Sequence, residues 1–154
     1  MLLTTSLLLF LHLIAVTFWV GGMAVMHFAV RPAAAATLEP AQRLPFMEAA
    51  LSRFFVGVSI AVATTLVSGL ALVMAAGGFA RVHWSVHGMF TGGLVMMALF
   101  LHIRFAPYAR LRRAVAAREW PVAAAQLGSI RTLVAINLTL GVAVIALAVV
   151  GRAL

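Results

Sequence analysis

The chain has 154 residues, of which 65% are hydrophobic and only 9% are charged, and its net charge of +8 comes entirely from arginine. It contains no Cys, Lys or Asp, which excludes disulfides, thiolate metal sites, iron–sulfur clusters, covalently attached haem and lysine Schiff bases. The only carboxylates, Glu39, Glu48 and Glu119, lie outside the long apolar runs, so neither a Ser-His-Asp triad nor a carboxylate pair can form within a membrane.

Four apolar runs are long enough to cross a bilayer as helices. They cover about residues 2–30, 54–76, 84–103 and 132–150. The first has no basic residue before it and is longer than the core of a signal peptide, so we expect it to be a span of the mature protein. The sequence predicts an all-α integral membrane four-helix bundle, in one transmembrane domain over residues 1–154, in a bacterial-type cytoplasmic membrane.

Histidines recur at one spacing in the first and third runs. His12 and His27 lie fifteen residues apart, and so do His87 and His102. Fifteen residues of helix rise about 22 Å and return to within about 60° of the starting direction, so each pair shares one helix face. If the parallel first and third spans are neighbours, His12 lies level with His87 and His27 with His102. Two such bis-imidazole sites would suit two b-type haems.

Glycines and arginines fit this interpretation. Room for a flat macrocycle would come from four glycines between the histidines, although small residues serve ordinary helix packing in membranes equally well: Gly21, Gly22, Gly92 and Gly93. Haem propionates need cationic partners at the interface, and the same ends of the four spans each carry one arginine: Arg31, Arg53, Arg104 and Arg131.

The loops between spans one and two and between spans three and four carry most of the arginines. The positive-inside rule therefore places both loops in the cytoplasm and both termini outside. Topology and contact with anionic lipid explain this charge, and nucleic acid is not expected as a partner. Pro32, Pro40 and Pro45 predict breaks in the first loop. In the second loop we expect two short interfacial helices, the second opening with Pro121.

The two halves of the chain echo each other. The histidine pairs are offset by seventy-five residues, and Arg53 precedes Ser59 by six positions just as Arg131 precedes Asn137. These matches hint at a duplicated two-helix unit.

Copper is the alternative to haem. His83 and His87 lie four residues apart with Met89 nearby, and Met26 adjoins His27. Histidine and methionine are suitable ligands for Cu(I), although methionines in apolar segments usually fill gaps. The outer pair of His83 and His87 is the better copper candidate, and it competes with the haem interpretation because His87 cannot readily serve both.

Two family resemblances bear on this choice. The segment LHLIAVTFWVGGMAVMHFAVRPA, with its Trp-x-Gly-Gly and closing Arg-Pro, resembles the opening helix of CopD-like membrane proteins, which implies copper uptake or tolerance. The four-helix plan, a late histidine in span three and the segment RTLVAINLTL also resemble HemJ-type protoporphyrinogen oxidases. That resemblance implies a bound haem b and oxidation of a porphyrin precursor, with His12 and His102 as the matching histidines. The chain differs from the HemJ pattern in having no lysine.

The sequence hypothesis is a haem-dependent membrane oxidoreductase with two haem b groups that transfers electrons across the membrane. Its donor and acceptor would be quinol, superoxide or a periplasmic redox protein. CopD-like copper transport and HemJ-like oxidation are the alternatives. The lipid bilayer is the expected surrounding, and the sequence also allows a homo-oligomer.

The distribution of arginines gives a first testable prediction. A reporter fused after Arg113 should read as cytoplasmic and one fused at the C-terminus as external, because cationic loops are retained on the cytoplasmic side. Paired alkaline phosphatase and fluorescent protein fusions measure this. The reverse pattern would invert the assignment of outer and inner sites.

Overall fold

The computed structural model describes residues 2–151, and this part of the chain is helical without any β-strand. Four of its helical stretches are long and apolar enough to cross a membrane. The prediction of an all-α, multi-pass four-helix membrane protein is therefore confirmed. In chain order, the elements are α1 (Leu2–Val25), a π-helical segment (Met26–Val30), α2 (Arg31–Thr37), α3 (Pro40–Ala75), α4 (Trp84–Phe105), α5 (Pro107–Ala116) and α6 (Trp120–Val150).

The helices extend beyond the predicted spans, and two of the expected proline breaks are wrong. Pro32 lies in the first turn of α2, directly after the π-helical segment, in which the Arg31 N–H donates to the Met26 carbonyl five residues earlier. Pro45 lies inside α3, about one turn after the helix begins at Pro40. Each of these prolines removes one N–H donor from the helical ladder, but neither ends the helical path. The chain leaves the helical path only at Leu38 and Glu39.

The second loop follows the prediction in part. The first interfacial helix is confirmed as α5, which buries Tyr108, Leu111 and Ala114 and exposes its arginines. The second expected helix is not separate, because α6 runs without interruption from Trp120 to Val150. Pro121 occupies its first turn and has no effect on the rest of the helix.

The four spans pack in a ring in which α1 adjoins α3, α4 adjoins α6, and α6 also touches α1. Helices α1 and α4 make no direct backbone approach and lie diagonally across the bundle. The expectation that the first and third spans are neighbours is therefore wrong. Side chains bridge the two helices at the centre, where the rings of Trp19 and Phe100 lie 6.4 Å apart, edge to face.

Glycines let α1 and α3 approach closely. A Cβ on Gly22 would lie 2.5 Å from Cε2 of Phe54, and one on Gly57 would lie 2.6 Å from Cζ of Phe18. The two phenylalanines also contact each other, with ring centroids 6.4 Å apart. At Gly92 on α4, Val144 of α6 fills the corresponding space. Protein side chains, rather than room for a macrocycle, account for two of the four glycines between the histidines.

A layer of aromatic rings closes the middle of the bundle. The ring of Phe100 lies 5.8 Å from that of Phe55, and Phe55 lies 5.0 Å from Tyr108, both edge to face. Trp19 of α1 completes the group, in which Phe55 belongs to α3, Phe100 to α4 and Tyr108 to α5. All four side chains are buried. We call Trp19, Phe55, Phe100 and Tyr108 the aromatic layer. It separates the interior into two halves with different chemistry.

The contact between Gly22 and Phe54 gives a second prediction. Gly22→Val should lower the midpoint of thermal unfolding in detergent, because the added methyls meet the Phe54 ring, and overpacking of this kind costs about 1–3 kcal/mol. Gly21→Val is the matched control, since nothing lies within 4 Å of a Cβ at Gly21. Equal midpoints for the two variants would contradict this account of the α1–α3 interface.

Candidate metal site

A cavity of about 430 Å³ lies between the four spans on one side of the aromatic layer. It runs along α1 from Thr5 to Val20, a rise of about 22 Å, and reaches Val82 in the connection between α3 and α4. The arginine-rich helix ends lie on the other side of the layer. Among residues 2–151, no arginine lines the cavity, and His12 is its only ionisable side chain.

His12 is held in the cavity wall by α3. Its Nδ1 lies 3.0 Å from the Ser68 hydroxyl, and the imidazole has a further hydrogen bond with the backbone of Thr65. Gly69 leaves the room for the ring, because a Cβ there would lie 3.0 Å from Cε1 of His12. Two contacts and a missing side chain thus fix the imidazole against the neighbouring helix.

The contacts of Ser68 are compatible with a metal-binding form of His12. The Ser68 hydroxyl lies within hydrogen-bonding distance of the Thr64 and Thr65 carbonyls of its own helix. When it donates its hydrogen to one of these carbonyls, it can accept a hydrogen bond from Nδ1–H of His12. In that tautomer Nε2 keeps its lone pair, which is the form in which imidazole binds a metal ion.

Met89 lies across the cavity at about the depth of His12. At the cavity floor, a Cβ on Gly141 would meet both Val20 (2.9 Å) and Met96 (3.0 Å), so these two residues share one level. His12 precedes Val20 by eight residues and Met89 precedes Met96 by seven. On parallel helices these separations correspond to about 12 Å and about 10.5 Å. The depths of the two side chains therefore agree to about one residue.

Sulfur and polar atoms continue along the same wall. Met96 and Met97 line the deepest part of the cavity beside Trp19. Behind them, the Asn137 Nδ2 donates to the Met96 carbonyl at 3.3 Å, and its buried Oδ1 has no partner in the described part of the chain. The cavity thus has a histidine about midway along its length and methionines at its inner end. Imidazole nitrogen and thioether sulfur together can bind a soft cation.

The other histidines do not join His12. His87 is exposed with its ring 5.7 Å from that of Phe79, and it does not line the cavity. His83 is exposed at the start of α4, where its Nδ1 accepts from the Ser85 N–H and caps the helix. His102 is exposed on α4. His27 lines a separate crevice, which residues of α3 and α6 complete. The structure thus does not bring the four histidines of the haem hypothesis into two facing pairs.

The arginines assigned to haem propionates also separate. Arg31 and Arg131 line the crevice that contains His27. Arg53 is exposed and donates to the carbonyl of Ala49 in its own helix, at 3.2 Å. Arg104 lies at the end of α4 beyond this crevice. Within the described residues, no group of three or more His and Glu side chains lies close enough to hold a metal ion, so a metal site here depends on methionine sulfur.

Sequence reasoning singled out His12 and Met89 but missed the residues that orient them. Met89, Met96 and Met97 follow the spacing of one helix face, which is a readable signal. Ser68 and Gly69 carried none, because a serine and a glycine within an apolar helix are ordinary packing residues. Their role emerges only from the packing of α3 on α1.

Comparison with known families gives one match. The family model described as CopD, Copper resistance protein D, matches residues 48–151, about two thirds of the chain. Neither curated proteins nor solved structures gave a match. The matched region contains Met89, Met96 and Met97 and the α3 residues that hold His12, whereas His12 itself precedes it.

Proposed function

The chain belongs to the CopD family, and on this basis we propose that it binds copper in the cavity and carries it across the membrane for copper uptake or tolerance. The observation that supports the proposal is the position of His12 and Met89 at the same depth of one cavity. By the arginine distribution, that cavity lies on the outer side. The proposed membrane is the bacterial cytoplasmic membrane.

Cu(I) is the form that suits the cavity. Imidazole nitrogen and thioether sulfur are ligands that select Cu(I), and the cavity offers both without a thiolate or carboxylate. None of the described residues that line the cavity is an arginine, so these walls do not repel a cation by fixed charge. A single positive charge is also less costly to move into an apolar interior than the double charge of Cu(II).

The aromatic layer sets the next step. Trp19 lines the cavity together with Met96 and Met97. The buried ring of Trp19 contacts Phe100, which contacts Phe55, and the cavity does not extend past these rings to the arginine-rich side. Transport therefore requires these rings to move. In this proposal the structure corresponds to the state that is accessible from the arginine-poor side and closed at the centre.

No observation in the described residues favours a haem. The histidine pairs do not face each other, and the family match concerns copper. Electron transfer through two haem b groups and HemJ-like porphyrinogen oxidation therefore stay sequence hypotheses without structural support.

Copper binding gives the third prediction. The purified protein should be colourless and bind about one Cu(I) per chain under anaerobic conditions, measured by competition with a chromogenic chelator. His12→Ala and Met89→Leu should each weaken binding by about tenfold or more, because each removes a proposed ligand. The matched controls are His102→Ala and Met74→Leu, which change exposed side chains outside the cavity, and they should bind as the wild type does.

Two outcomes would contradict the proposal. A red preparation with a low-spin b-type spectrum would return the argument to haem. A protein that binds Cu(I) equally well with and without His12 and Met89 would show that copper does not use this cavity.

The orientation of His12 gives a fourth prediction. Ser68→Ala should weaken Cu(I) binding by about tenfold, because a metal-binding histidine depends on the hydrogen bond at its second nitrogen. Ser59→Ala is the control, since this serine of α3 also donates to a carbonyl of its own helix, that of Phe55, but is not the serine that contacts His12. Equal loss of affinity in both variants would point to a general effect on α3.

A further inference from the structure

A second feature lies on the arginine-rich side of the aromatic layer, where the end of α1, the start of α3 and the first half of α6 meet. There a crevice of about 30 Å³ is open to the surroundings. Its walls are almost entirely apolar, with His27 and two arginines as the polar members. Its apolar lining residues include Met47, Phe54 and Val134.

The crevice contains two arginines without an acidic partner. Arg31 follows α1 and its π-helical segment, and Arg131 belongs to α6. None of the described residues that line the crevice is a glutamate. In the described part of the chain, neither guanidinium has a hydrogen bond or ion pair. Glu48, which is next in sequence to Met47, already accepts a hydrogen bond from Tyr108 at 2.9 Å. Two unpaired guanidiniums beside an apolar surface favour an anion and disfavour a copper ion.

The backbone of α1 is specialised at this place. The π-helical segment Met26–Val30 lies directly before Arg31 and contains His27. π-Helical turns are rare and occur frequently at functional sites. His27, inside this segment, and Arg31, directly after it, both line the crevice.

The size of the crevice indicates what kind of anion fits. Its volume is about that which one molecule occupies in liquid water, whereas pockets that enclose soluble ligands measure about 300–1,000 Å³. A ligand must therefore be held mainly from outside the protein. Arg31 ends the first apolar run and Arg131 precedes the last, so both guanidiniums lie at the level of the lipid headgroups.

From these observations we propose that the crevice binds one anionic phospholipid. Its phosphate is held between Arg31 and Arg131, with His27 as a further donor, and an acyl chain starts along Phe54 and Val134, the crevice residues on the membrane side of the arginines. Guanidinium recognises phosphate through a planar fork of N–H groups, and the apolar walls match the chain. This site is independent of copper and lies on the opposite side of the aromatic layer.

The experiment compares lipids and variants by native mass spectrometry and thermal unfolding of the purified protein. Wild-type protein should retain phosphatidylglycerol in preference to phosphatidylcholine and should unfold at a higher temperature with the former. The double variant Arg31→Gln/Arg131→Gln should bind phosphatidylglycerol about tenfold or more weakly. The matched control Arg53→Gln/Arg110→Gln removes two exposed arginines from the same side of the membrane and should keep the wild-type affinity.

Three results would overturn the proposal. No preference between the two lipids in wild-type protein, which needs no variant to fold, would remove the site. An equal loss in the control variant would show a general cationic belt. Protection by millimolar inorganic phosphate as strong as that by phosphatidylglycerol would identify a soluble anion as the ligand instead of a lipid.

Discussion

The contact of four aromatic side chains at the centre of the bundle is the interaction on which the rest of the structure depends. Helices α1 and α4 do not pack against each other, and Trp19 and Phe100 join them across the diagonal. Phe55 extends the contact to α3, and Tyr108 extends it to α5. Edge-to-face rings fill the wide centre left by diagonal spans, which smaller side chains could not do. The interior is consequently dense in the middle and open on one side.

The two sides of this layer differ in chemistry. On one side, the described residues that line the cavity supply thioether sulfur and one imidazole and include no arginine or glutamate. On the other, the crevice carries two guanidiniums and almost no room. A soft monovalent cation is compatible with the first environment and an anion with the second. The separation allows the arginines that orient the protein in the membrane to lie apart from the site proposed for copper.

Hydrogen bonds between neighbouring helices hold some of the polar groups inside the bundle. His12 contacts Ser68 of α3, and Ser68 in turn contacts the Thr64 carbonyl. Such bonds are valuable in a membrane because no bulk water competes for the donors. Two buried oxygens lack a partner in the described part of the chain, the Thr65 hydroxyl in the cavity wall and Oδ1 of Asn137. Asn137 is the more deeply buried of the two residues, with 1% of its surface exposed. It lies between the cavity and the crevice on one face of α6, after Val134 and before Gly141.

The sequence by itself determined the membrane class, the four spans and the α5 interfacial helix, because length, hydropathy and helical periodicity act locally along the chain. It also singled out His12 and Met89 by residue type. It could not determine that α1 and α4 lie diagonally, since the histidine spacing specifies a helix face but not the neighbour of that face. Only the tertiary structure decided that Met89, rather than His87, lines the cavity with His12, and that Arg31 and Arg131 meet at one crevice. These relations depend on how helices distant in sequence rotate to fit glycines such as Gly22 and Gly69 against aromatic and imidazole rings, and helical periodicity carries no information about that rotation.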